Sequence, residues 1–107
     1  MALSVEGTPF PLSAAAELTV YRIVQEALTN TLRHAAASHA TVTISYDQPQ
    51  LRLRIADDGT AKAPDARRGH GIEGMRERAA LHGGTLRAGP NPDAPAGWLV
   101  EATLGRP

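Results

Sequence analysis

From Ser13 to about Ala36 the chain runs without glycine or proline, and Leu18, Tyr21, Val24, Gln25, Leu28 and Leu32 recur near helical spacing. This pattern predicts a helix, with Ser13 as its N-cap. Thr41 to Tyr46 and Leu51 to Ile55 alternate with period two around an Asp47-Gln-Pro-Gln50 turn. They predict two adjacent antiparallel strands with one wet face. Asp57 to Gly71 carries glycines, a proline and charges without periodicity and reads as a functional or mobile loop. A second helix is expected from Ile72 to about His82, with Ile72, Met75, Ala79 and Leu81 as core contacts and Gly83-Gly84 as its stop. Thr85 to Ala88 and Trp98 to Leu104 read as strands joined by the turn-rich Gly89 to Gly97, and Ala2 to Glu6 as a short opening strand. Strands interrupted by helices in this order predict an α/β fold: a two-layer sandwich, its mixed, mostly antiparallel sheet covered on one face by helices.

Composition narrows the picture. The 107 residues suit one domain and leave no room for two. The 11 Lys and Arg balance the 11 Asp and Glu, so no net field draws the chain to nucleic acid or an anionic membrane. Any phosphate must be held by local geometry. The absence of cysteine excludes disulfides, thiolate metal sites and cysteine nucleophiles, and is compatible with a reducing cytoplasm. No run approaches about 20 apolar residues, and Met1 to Pro11 lacks the basic flank and apolar run of a signal peptide. A soluble domain without membrane contact is expected.

Three features carry candidate chemistry. On the first helix, residues four apart advance by about 40°, so Arg22, Glu26 and Asn30 form a slanting polar stripe, with Arg33 beside it and His34 at its edge. Asn30 falls beside Ile23 and Ala27, which predicts partial burial and a need for polar partners. Taken alone, such a stripe is more commonly the solvated face of an amphipathic helix. The second feature is Ile55-Ala-Asp57-Asp58-Gly59, a strand-end carboxylate placed to accept a hydrogen bond from a ligand's amino group. Asp-Gly after a strand is also an ordinary turn.

The third feature, Gly69-His-Gly-Ile-Glu-Gly74, opens the second helix, where close-approaching backbone amides and the positive dipole end suit a phosphate chain. Its spacing also matches the dinucleotide fingerprint. That fingerprint needs a strand directly before the first glycine and an acid ending the next strand. Here the strand ends well before Gly69, and Asp93 lies in a proline-rich stretch. His34, His39, His70 and His82 sit in no HExxH or comparable pattern, so no structural metal is expected. No Ser has a nucleophile-elbow context.

In order, the three features resemble the nucleotide-binding boxes of the superfamily that joins gyrase, the heat-shock chaperone ATPases, MutL and histidine kinases. Arg22-Ile-Val-Gln-Glu-Ala-Leu-Thr-Asn30-Thr-Leu-Arg-His-Ala35 resembles the N box, Asp57-Asp-Gly59 the first glycine box, and Gly69-His-Gly-Ile-Glu-Gly-Met-Arg-Glu-Arg78 the second. The likeness, spanning about Pro11 to Leu104, is greatest to the catalytic ATP-binding (Bergerat-fold) domain of bacterial sensor histidine kinases that partner LuxR-type response regulators.

By that resemblance Asn30 would coordinate the Mg²⁺ that bridges the phosphates of ATP, and Glu26 would orient or activate the reacting group. Asp57 would bind the adenine amino group, with Gly59 beside it. Gly69, His70, Gly71, Ile72, Gly74 and Met75 would surround the phosphates, Thr60 to Arg68 would form a short lid, and Arg33 and His34 would lie near the nucleotide. The implied function is a cytoplasmic kinase domain that donates the γ-phosphoryl group to a histidine on a dimerisation and phosphoacceptor domain. The fragment itself is expected to be monomeric, and these 107 residues hold no helical hairpin with such a histidine. Two positions depart from the pattern: Ala61 replaces the first box's second glycine, and Trp98 follows Gly97 where a threonine often supports the adenine-binding Asp. Both point to weaker nucleotide affinity. An anti-sigma-factor-type serine kinase and a degenerate nucleotide-binding module share the fold and stay open as alternatives.

Overall fold

The computed structural model describes residues 2–34, 39–47, 49–58 and 71–105. Its elements are β1 (Ala2–Gly7), α1 (Ala14–His34), β2 (Ala40–Asp47), β3 (Gln50–Asp57), α2 (Ile72–Ala80), β4 (Thr85–Asn91) and β5 (Ala94–Gly105). One five-stranded sheet runs in the order β1-β2-β3-β5-β4. β1 and β2 pair in parallel, joined by the α1 crossover that parallel strands require, and every other pair is antiparallel. The expected two-layer α/β sandwich is what the chain forms.

Strand periodicity builds the core. Val42 on β2, Leu51, Leu53 and Ile55 on β3, and Trp98, Val100, Ala102 and Leu104 on β5 share one face and bury there with Ile23, Ala27, Met75 and Ala79 of the helices. Arg52, Arg54, Arg87 and Glu101 take the alternate positions on the wet face, where Arg87 pairs with Glu101 at 3.0 Å. Ser13 caps α1 as expected, its Oγ accepting the Ala16 N–H at 3.1 Å. Between β1 and α1, Phe10 meets Tyr46 edge to face at 5.1 Å.

The helical stripe differs from the expected one. Ala16, Thr19, Ile23, Ala27 and Thr31 are buried, whereas Leu18 is 51% and Tyr21 61% exposed, and Gln25 is exposed too. Small residues at 16 and 27 let the backbone lie close to the sheet, so the bulkier side chains stand on the flank. Val24 and Leu28 are half-buried there, in a shallow groove with Leu3, Val20 and Ile44. The side chain of Leu32 lies outside the described set. Leu81 is a second correction: it is the C-cap of α2 and 81% exposed, two positions past Ala79, the last buried residue of the helix. The stop itself is as read, with Gly83 at φ +67° and the Gly84 N–H reaching back to the Ala79 carbonyl at 2.9 Å.

Ile23→Ala is expected to cost about 2–5 kcal/mol, because Ile23 is fully enclosed. Leu18→Ala should stay within about 0.5 kcal/mol. Urea unfolding of the two variants checks the assignment, and equal midpoints would contradict it.

The last two strands also exceed their expected bounds. The Gly89 to Gly97 segment is mostly strand: β4 continues to Asn91, β5 starts at Ala94, and a register shift falls between Pro90 and Asn91. Pro90 is tolerated because β4 is an edge strand and its missing N–H costs no ladder bond. The Asp93 N–H donates to the Asn91 side chain at 3.0 Å, an Asx turn that closes the hairpin.

Candidate nucleotide-binding site

Asp57 closes β3 with the same parity as Leu51, Leu53 and Ile55, so its carboxylate points into the helix layer rather than to solvent. It is 4% exposed. Burying that group is tolerable only with donors, and the fold brings them from two distant segments. Thr31 Oγ1 donates to Oδ2 at 2.9 Å, and the Trp98 main-chain N–H donates to Oδ1 at 3.2 Å. Asn91 Nδ2 donates to the Asp57 carbonyl at 3.2 Å, tying the β4–β5 turn to the end of β3. Next along the chain, Asp58 clasps His39 through its carboxylate, at 2.8 Å to the main-chain N–H and 3.0 Å to Nδ1.

The polar stripe of α1 sinks as it advances. Arg22 is exposed, Glu26 half-buried and Asn30 5% exposed. A rotation of about 40° per step carries the row from solvent toward the face of Ile23 and Ala27. The expected burial of Asn30 is therefore observed, and Asn30 has a polar partner.

Gly71, which precedes α2, has φ +79°, and a Cβ there would run into the Glu26 carboxylate. The glycine thus solves two problems at once. It takes a left-handed conformation that other residues enter at a cost of about 1–2 kcal/mol, and it leaves room for Glu26 against the start of the helix. Glu26 and Thr31 lie five residues apart on α1, about 7.5 Å along its axis. Within the C-terminal half of α1, Glu26 meets the turn that opens α2 and Thr31 meets the carboxylate that ends β3.

The family model of histidine kinase-, DNA gyrase B- and HSP90-like ATPases matches residues 15–106, nearly the whole chain. The chain belongs to this ATPase family. Among the relatives of this ATPase domain is the sensor histidine kinase YxjM of Bacillus subtilis (strain 168), 45% identical over 86 residues that cover 80% of this chain and 20% of YxjM. The sensor protein VraS of Staphylococcus haemolyticus (strain JCSC1435) is 36% identical over 99 residues, 91% of this chain and 28% of VraS. The chain therefore spans 20% and 28% of the length of these two relatives. In architecture it matches the histidine kinase domain of the blue-light activated histidine kinase EL346 of Erythrobacter litoralis, with a TM-score of 0.68 and 19% identity over 98% of this chain and 54% of that one.

Within the ATPase domain, the structure gathers Glu26, Asn30, Asp57, Gly71 and Ile72 from the residues singled out in the sequence. Ile72 is buried in the first turn of α2 and Met75 is fully buried one turn later, so both side chains serve the core while their main chain opens the helix. Gly74 lies on the same turn, half-buried. Arg33 and His34 fall in the last turn of α1, and their side chains lie outside the described set. Gly59, Gly69, His70, Ala61 and the expected lid at 60–68 also lie outside the described residues. Two residues were missed. Thr31 and Asn91 both serve Asp57, and their partner lies 26 and 34 positions away. Only the adjacency of Thr31 to Asn30 hinted at a role. Trp98 also reads differently: its main-chain amide supports Asp57, a role any non-proline residue fills, while a threonine hydroxyl arrives from α1 instead.

Proposed function

We propose that this domain binds Mg-ATP and donates the γ-phosphoryl group to a histidine on the dimerisation and phosphoacceptor domain of a two-component sensor kinase. The observation that carries the reading is the placement of two carboxylates beside α1: Asp57, held by Thr31, for the base, and Glu26, against the start of α2, for the phosphate end. The sensor-kinase relatives support the reaction class. Asp57 accepts from the adenine amino group. The main-chain N–H groups of the first turn of α2, which a helix leaves without intrahelical partners, and the positive end of its dipole hold phosphate oxygens.

Asn30 fits magnesium: a hard cation that retains several waters suits one amide oxygen plus phosphates. Among the described residues no group of three His, Cys, Asp or Glu gathers, so the donor set matches a metal shared with the nucleotide rather than an all-protein cage. When bound, Mg²⁺ neutralises phosphate charge as it builds on the leaving group. Glu26 orients the acceptor imidazole so that the N–P bond forms as the bond from the γ-phosphorus to ADP breaks. A LuxR-type response regulator then receives the phosphoryl group.

Calorimetry with ATP and Mg²⁺ should give binding of about −4 to −8 kcal/mol. Omitting Mg²⁺ should weaken it, and Asn30→Ala should reduce that metal dependence. A flat titration at millimolar ATP would remove the nucleotide reading. Radiolabelled transfer to a supplied phosphoacceptor domain tests the kinase reading separately: no label on its histidine would leave a nucleotide-binding module only. Among the described residues no helix is long and apolar enough to cross a membrane.

A further inference from the structure

We propose that the Thr31 hydroxyl is the positioning group that presents Asp57 as a pure hydrogen-bond acceptor and thereby sets the preference for a 6-amino over a 6-oxo purine. The inference rests on the reading of Asp57 as the adenine-binding carboxylate. Thr31 Oγ1 lies 2.9 Å from Asp57 Oδ2 and 3.1 Å from the Ala27 carbonyl. A hydroxyl has one proton, so it donates to one of the two. The Ala27 carbonyl already accepts the helical N–H four residues on, whereas the carboxylate offers a shorter, charge-assisted bond. The proton goes to Asp57.

Geometry makes this a directional constraint. A β-branched threonine in a helix has few rotamers, and the one that keeps Oγ1 beside the i−4 carbonyl aims it at Oδ2. Thr31 is 8% and Asp57 4% exposed, so solvent is poorly placed to substitute for the hydroxyl. The Trp98 N–H holds the other oxygen. With a protein donor on each oxygen, the plane of the carboxylate is fixed and both oxygens are committed as acceptors. A carboxylate has roughly four acceptor directions, so an amino group of a ligand is accommodated as a further donor. A 6-oxo group meets the same oxygens with lone pair against lone pair. Without the hydroxyl, Oδ2 loses the donor that fixes the carboxylate plane toward the base, and the discrimination falls.

The test uses the 107-residue chain with ATP and with inosine triphosphate, which differs at the 6-position of the purine. Binding is followed by calorimetry and by the fluorescence of Trp98, the single tryptophan, whose amide touches Asp57. The parent is expected to favour ATP by about tenfold or more. Thr31→Val keeps the shape without the hydroxyl and should lower the ATP-to-ITP ratio at least about threefold, chiefly by weakening ATP. Thr31→Ser restores the hydroxyl and should keep the ratio within about twofold of the parent. If Thr31→Val fails to fold, Thr31→Ala takes its place in the same comparison with serine. A folded variant without the hydroxyl that retains the parental ratio overturns the proposal and reduces Thr31 to a clamp between α1 and β3. If Asp57→Asn lowers the ratio while Thr31→Val does not, only the Thr31 inference fails. Equal affinity of the parent for both nucleotides, unchanged by Asp57→Asn, overturns the Asp57 reading and this inference with it.

Discussion

Asp57→Asn is expected to weaken ATP binding by roughly 100-fold, about 3 kcal/mol, while leaving the sheet in place. The carboxylate offers two oxygens, and the Trp98 N–H and the Thr31 hydroxyl each take one. An amide offers one oxygen and one NH₂. Whichever way it turns, the NH₂ faces a donor: the Trp98 N–H, the Thr31 hydroxyl or the incoming adenine amino group. Thr31 can relieve one conflict by donating to the Ala27 carbonyl instead, at 3.1 Å, so the fold has an escape that the ligand lacks. The loss should therefore appear in affinity far more than in the unfolding midpoint. Calorimetric titration beside thermal unfolding measures both, and a variant with parental affinity would remove Asp57 from the site.

Gly71→Ala should lower phosphoryl transfer by about 100-fold through displacement of Glu26, with a stability cost of about 1–2 kcal/mol for the left-handed backbone. The added methyl collides with the end of the Glu26 side chain rather than with main chain. That end is flexible enough to swing away, so the protein folds and the carboxylate moves. At Gly84 the neighbouring atoms belong instead to the Thr103 and Leu104 main chain, which cannot swing. Single-turnover transfer from ATP to the supplied phosphoacceptor domain reads the rate. The assignment predicts that nucleotide affinity falls much less than the rate, because Asp57 and its partners are untouched. A parental rate would separate Glu26 from the chemistry.

Much of the architecture was readable from local pattern. Periodicity placed both helices and the β2–β3 hairpin within a few residues, and parity along β3 determined that Asp57 continues the row of Leu51, Leu53 and Ile55 toward the helices. Rotation along α1 predicted that Asn30 sinks beside Ile23 and Ala27. What the pattern misjudged was which of two apolar stripes on α1 faces the sheet. Side-chain size favoured Leu18 and Tyr21, but close packing on strands favours the stripe that carries Ala16 and Ala27. The length of β4 and β5 was hidden for a related reason. Pro90 signals a turn in isolation, yet an edge strand accommodates it, and only Pro92 and Asp93 form the turn itself.

The sequence by itself determined the parts of the site: an Asn on the inward-turning side of a helix, an acid at a strand end, a glycine before a second helix. Each follows from spacing within one element, where the backbone geometry is fixed and short-range. Tertiary structure alone decided how those parts are held. The hydroxyl and amides that fix Asp57 come from residues 26, 34 and 41 positions away, and Glu26 meets Gly71 only because α1 and α2 lie on the same face of the sheet. No local pattern encodes such meetings, since they arise from the pairing register and from the burial of a carboxylate that must find its donors wherever the fold brings them.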